Sequence, residues 1–399
     1  MYKPLFAAIL FLLTATTLHA ESPEDAYVAK FLKSNPRIEQ PPVLEDYATP
    51  AIFDAAYLGE SVDNALKNVQ NDSGGIAWGL SYYMRAFNTM HTVTGDVKYL
   101  DANLRLVRAV AAATDEKRGK SLFNGRVVNA WGCDSYAERG RALFAVHTGI
   151  IAAQMLDFLL HARENAAFDA TLGEERAVLL QAALDAMAEH DRQWRDGPED
   201  GAGYYIGLDQ ENVLEGKPLP GNRLSAMGWA LWLSWKLTGN VTHRDHALAL
   251  AHYIRNRISN APDGAWYWPY QLPEQPVTEQ QTREQVNGED TSHAGLTLSL
   301  PMVLIQENQV FTRDDLGRLA KTVLNGFARR DDGILFASIT GNPKLPPDHI
   351  GYAVNYLPAA QADPEAGRRI AAYYLNYRPH PAPLELAELM LYLKRNAGK

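Results

Sequence analysis

With one cysteine, Cys133, in 399 residues, the chain cannot form an internal disulfide, so its core must be held by packing alone. Several chemistries lack their signatures as well. There is no His-Glu-x-x-His, no glycine-rich phosphate loop and no Gly-x-Ser-x-Gly element, which removes the sequence basis for zinc-hydrolase, nucleotide or serine-nucleophile function. His243 and His246 stand three apart, but among charged residues of an outer helix. No set of residues reads as a metal centre, and no cofactor is implied. Positive charge is also scarce: 38 Lys and Arg face 47 Asp and Glu, a net charge of −9. A nucleic-acid partner is therefore not expected, and an anionic ligand would have to meet a local cluster of Arg, Lys or His. Beyond the N-terminus no stretch reaches about 18 consecutive apolar residues, so no membrane insertion is expected there.

The N-terminus itself has the form of an export signal. Lys3 is the basic end, residues 5–13 are the apolar run, and Leu18-His19-Ala20 offers a small residue at the cut. Residues 1–20 are thus expected to be removed, leaving a soluble chain of residues 21–399 in the periplasm or outside the cell. The cut takes Lys3 and no acid, so the balance becomes 37 − 47 = −10. No cysteine stands there to take a lipid.

What the chain does have is a repeat. Apolar helical patterns begin near Gly75, His147, Asn222 and His293, at separations of 72, 75 and 71 residues, with a shorter one near His349. Each runs through a short link into an amphipathic helix. Thr94-Gly95-Asp96 and Thr238-Gly239-Asn240 are two such links: Gly ends one helix in the left-handed conformation, and Asp or Asn caps the next. Long connections follow, each opening on Asn124-Gly125, Asp200-Gly201, Asp263-Gly264 or Asp332-Gly333, with aromatics just after. Each hairpin has one short and one long link, so the long loops gather on one rim. The expectation is an all-α chain and a single domain over residues 21–399: an (α/α) toroid, closed or incomplete, of about five to seven helical hairpins. Residues 21 to about 70 and residues 382–396 are expected to supply helices that flank the ring, and the long loops have room for short β-ribbons, for instance at residues 334–339. An open, protein-binding α-solenoid is the alternative, although solenoid loops are shorter and less aromatic.

The rim with the long loops is also where the inner helices start, and helix N-termini present free N–H groups to anions. His147-Thr148-Gly149, His293-Ala294-Gly295 and His349-Ile350-Gly351 open three of them, and Asn222-Arg223 opens a fourth. Gly288-Glu289-Asp290-Thr291-Ser292-His293-Ala294 packs two acids, two hydroxyls and an imidazole into one start, more than capping requires. His349, Tyr352 and Tyr356 fall on one helical face; Tyr352, a turn from the start, is the better chemical candidate, and Tyr356 reads as core. Trp131, Trp266, Trp268 and Tyr270 lie in long loops and are candidates for holding sugar rings, or for packing the loops onto the ring. Arg126, Asn129, Asp134, Tyr136 and Arg139 add polar partners in the first loop.

Helices joined by Thr-Gly-Asp turns, aromatic rim loops and a His-bearing helix start resemble the (α/α)-toroid carbohydrate enzymes. The Gly-Glu-Asp-Thr-Ser-His-Ala segment with a Tyr-bearing helix downstream looks most like the toroidal polysaccharide lyases acting on alginate or glucuronan. That resemblance covers roughly residues 70–380 and implies an anionic polysaccharide or oligosaccharide substrate cleaved by β-elimination. On this reading Tyr352 is base and acid, its phenol brought toward ionisation by His349, His293 or Arg223. Asn222, Arg223 and His293 neutralise the uronate carboxylate, and Glu289 holds or shares a proton. Arg126, Asn129, His147, Trp131, Trp266, Trp268 and Tyr270 bind substrate. Two alternatives stand beside it. One is a toroidal hydrolase or epimerase using Glu289 or Asp290 with Asp134 or Asp72, and the other is a non-catalytic oligosaccharide-binding ring.

Overall fold

The Thr-Gly links fold as their residues require. In a computed structural model, which describes residues 22–208 and 214–397, Gly95 and Gly239 both take φ of 73° and end the helices Ser81–Thr94 and Gly221–Thr238. Asn240 then caps Val241–Arg255 by accepting the amides of Thr242 and His243, and Asp96 accepts that of Lys98. The long connections share a turn too: Gly125, Gly201, Gly264 and Gly333 have φ between 74° and 83°. The expected export signal lies outside the described residues.

Six inner segments follow one another around a ring. The first is Ser81–Thr94, entered through the wider π turn Ile76–Leu80; the second is Ala145–Glu164 and the third Gly221–Thr238. The fourth is split into Thr291–Thr297 and Ser299–Gln306, the fifth is the 3-10 segment Ala353–Gln361, and the sixth is Pro383–Asn396. Each packs against the next, and the sixth packs along the first, so the ring closes. Outer helices Lys98–Ala111, Glu175–Ala188, Val241–Arg255, Arg313–Thr322 and Pro364–Tyr377 each follow an inner one. Pro50–Tyr57, from the N-terminal part, packs on the sixth. The fold is an (α/α) toroid.

Three expectations change. Residues 382–396 do not flank the ring but complete it, with Leu384, Leu386, Leu389 and Met390 buried and Glu388 paired to Arg85 of the first inner helix at 3.0 Å. His349 and Tyr352 do not share a helical face with Tyr356: His349 ends a separate turn, Pro347–His349, and Tyr352 precedes the 3-10 segment. Pro358 inside that segment removes an amide donor and prevents a regular α-helix. Near residues 334–339 only an isolated bridge, Asp290 to Ser338, is found; the described ribbons are Trp194–Asp196 with Gly203–Tyr205 and Ser259–Asn260 with Trp266–Tyr267. The second inner helix is long and apolar enough to span a membrane by composition, with mean hydropathy 1.2, yet 83% of that window is buried by the ring around it.

Candidate active site

At the mouth where the inner helices begin, their first turns converge on one cleft of about 480 Å³, within the ~300–1,000 Å³ typical of small-molecule sites. Trp78 and Tyr82 come from the first inner segment, His147 from the second, Asn222 and Arg223 from the third, Ser292 and His293 from the fourth, and Tyr352 from just before the fifth. Tyr136, Phe144 and Tyr270 enter from the long loops. Sequence-nominated His147, Asn222, Arg223, Tyr270, His293 and Tyr352 therefore lie together, although 205 residues separate the first from the last.

His293 is the accessible imidazole. Asp290, the cap of its helix, accepts the His293 amide at 3.0 Å with one carboxylate oxygen and meets Nδ1 at 2.6 Å with the other. Burial works to raise the Asp290 carboxyl, but the bonds from the His293 ring and amide, with the charges of His293 and His349, prevail and hold it below its usual range. The His293 side chain keeps 42% of its surface against 12% for Asp290, so the acid stands behind the ring and Nε2 faces outward. Tyr270 sits edge-on to the ring, centroids 5.0 Å apart.

His147 is the opposite case. It is 1% exposed, its Nδ1 is 3.2 Å from the Asn71 amide nitrogen, and Trp78, Tyr136 and Phe144 surround it. Burial first, and then the charge of Arg223, lower its pKa to about 3. Asn222 is 2% exposed and its Oδ1 has no hydrogen-bond partner among the described residues, an acceptor suited to a ligand hydroxyl.

Tyr352 lies parallel to Tyr82, centroids 4.5 Å apart at 29°. Its phenol is not drawn toward ionisation. Burial, followed by the charge of Glu385, pushes it up to about 12, and the cations that act on it are Arg378 and Arg85 rather than Arg223, His293 or His349. The pair forms an aromatic wall, and the assignment of Tyr352 as base loses its physical support.

Other nominated residues lie elsewhere. Trp131, Trp266 and Trp268 are 0–3% exposed; their indole N–H groups donate to the Val110 carbonyl, Asn260 and Glu289. They wedge the loops onto the ring and do not line the cleft. Glu289 is 1% exposed, accepts from Trp268 and Thr297, and its pKa is raised well above the usual value by burial; it belongs to the core. Arg126 pairs with Glu189 and Asn129 with Asp185 in a separate surface hollow. His349 is exposed and does not line the cleft. Asp72 and Asp134 are tied to Arg141, and neither lines the cleft. Trp78, Tyr82 and Phe144 were missed. Only their places one turn into or just before an inner helix could have flagged them.

No protein-family model and no curated protein matches the chain. Solved structures do. An unsaturated glucuronyl hydrolase specific for heparin superposes with a TM-score of 0.52 at 10% identity, over 89% of this chain and 96% of that one. An α-1,6-mannanase of Salegentibacter sp. HEL1_6 bound to α-1,6-mannotriose gives 0.48 at 11% identity, over 84% and 97%. A D-mannose isomerase gives 0.47 at 12%, over 84% and 87%. The likeness is one of fold, the (α/α) toroid.

Proposed function

We propose that this protein is an exported carbohydrate-active enzyme that cleaves a uronic-acid-containing polysaccharide, of alginate or glucuronan type, by β-elimination. The observation that carries the reading is the composition of the cleft: Arg223, Asn222, His147 and an Asp-backed His293 face one space, and no Asp or Glu lines it among the described residues. A glycosidase needs two carboxyl groups across the sugar. Elimination needs a base at C5 and neutralisation of the adjacent carboxylate, where negative charge builds as the proton leaves. A structural neighbour named for unsaturated glucuronyl hydrolysis handles a uronate on the same fold, which agrees with a sugar-acid ligand.

In this reading Arg223 pairs with the uronate carboxylate, while Asn222 and His147 bond oxygens beside it. His293 replaces Tyr352 as the base. Asp290 holds Nδ1, Nε2 takes the C5 proton, the C4–C5 double bond forms, and the C4–O4 bond breaks. The imidazolium then returns the proton to the departing O4, so one group serves both half-steps. The Tyr82–Tyr352 wall and Tyr270 supply the stacking faces.

Incubation with alginate, glucuronan and a neutral glucan, following ultraviolet absorbance and reducing ends together, tests the reading. Absorbance from a conjugated uronate should appear with at least one acidic polymer. Reducing ends without absorbance would assign a hydrolase, and sugar isomerisation without cleavage would assign an epimerase. Binding with no turnover would assign a recognition ring.

A further inference from the structure

We infer that Asn71 locks His147 as a neutral imidazole whose proton sits on Nε2 and is donated into the cleft, which makes Asn71 a positioning residue. The use of that donor on a uronate rests on the function proposed above; the proton's location does not.

Two groups of fixed polarity flank the Asn71 amide. The Asn71 side chain accepts the Ala77 backbone N–H at 3.1 Å and donates to the Trp131 carbonyl at 2.9 Å. A backbone N–H can only donate and a carbonyl can only accept, so the amide orientation is decided. Its nitrogen therefore faces His147 Nδ1 at 3.2 Å, and the second amide hydrogen requires a lone pair there. A neutral imidazole carries one proton, which must be on Nε2. Among the described residues no acceptor takes that N–H, and the ring lines the cleft.

The lock is stiff. Asn71 is 1% exposed, Trp131 is anchored through Val110, and the next residue, Asp72, is tied to Arg118, Lys120 and Arg141. The charged group acting on the imidazole is Arg223 and the titratable group against it is the Tyr136 phenol, with Trp78 and Phe144 closing the rest. A cation at Nδ1 would set two N–H groups against each other and face Arg223 as well. The ring thus supplies a hydrogen bond without adding charge, beside an Arg that supplies the charge.

Nitrogen-15 spectroscopy of histidine-labelled full-length protein tests this without any substrate. His147 should show a proton on Nε2 and none on Nδ1, unchanged from about pH 8 to about pH 5. In Asn71→Asp the new carboxylate should draw a proton onto Nδ1. Turnover of any uronate polymer the wild type cleaves should then fall by about 100-fold in kcat/KM. A wild-type Nδ1–H or imidazolium overturns the inference, as does an Asn71→Asp variant with an unmoved tautomer. If Asn71→Asp fails to fold, the wild-type spectrum alone decides. A wild type that shows the Nε2 tautomer and cleaves no uronate polymer upholds this inference and rejects the lyase reading, so the two fail separately.

Discussion

Glu289 shows how position decides what an acid does. Its neighbour Asp290 lies beside the cleft, backs an imidazole and is held below its usual pKa. Glu289 points into the core, where burial pushes its pKa well above 4.5. An acid that keeps its proton in the folded state but loses it when unfolded makes stability fall as pH rises from the unfolded pKa toward the folded one. Wild-type melting temperature should therefore decline above about pH 4.5 in part through Glu289, and Glu289→Gln, which keeps the bonds from Trp268 and Thr297 through its carbonyl, should lose that component of the slope. Thermal melts at a series of pH values check this, and activity of the variant should stay within about threefold of wild type. For Asp290 the sign is reversed: its stabilising contribution is present above the usual Asp pKa and lost as pH falls through the depressed folded value. Asp290→Asn should thus flatten the acid limb of the stability profile while lowering turnover by about 10- to 1,000-fold, since His293 loses the group that orients it.

At the scale of elements, the second and third inner helices pack backbone against backbone. A Cβ on Gly149 would lie 2.5 Å from the Ala226 carbonyl carbon and 2.6 Å from the Met227 nitrogen; backbone cannot turn aside as a side chain can. Gly149→Ala should cost about 1–3 kcal/mol, whereas Gly79→Ala, with nothing within 4 Å, should be neutral or gain up to about 1 kcal/mol. Denaturant melts of the two variants distinguish them. The same elements show which parts of the structure were legible. Links such as Thr94-Gly95-Asp96 were readable because the physics is local: a residue free to adopt positive φ, then a cap. His147, Asn222, Arg223 and His293 were readable because first-turn positions of equivalent helices must share a rim. Trp131, Trp266 and Trp268 were misread because an aromatic after an Asn-Gly or Asp-Gly turn can point into the wedge between hairpins or into the cleft, and neighbouring helices distant in sequence decide. The fifth inner segment was misread because Pro358 replaces a helical period with a 3-10 one.

The whole molecule is a ring that closes on its last helix. Pro383–Asn396 seals the first inner helix through buried leucines and the Arg85–Glu388 pair, so a chain ended after residue 382 leaves apolar faces of both the first and fifth segments uncovered. Such a truncation should lose the cooperative thermal transition seen by circular dichroism, and retention of a wild-type melt would show that closure is dispensable. Closure also fixes the cleft, because His147 and Tyr352 approach each other only when the intervening segments are held around the circle. The assignment proposed above is that an Asp-backed imidazole at this mouth, and not the Tyr352 phenol, moves the proton in a uronate elimination. Its most direct measurement is the rate of unsaturated-product formation by wild type, His293→Ala and Tyr352→Phe side by side on the preferred acidic polymer. A loss of about 100-fold or more is expected in His293→Ala, with a rate within about threefold of wild type in Tyr352→Phe; an active His293→Ala with a dead Tyr352→Phe would overturn His293 as the base.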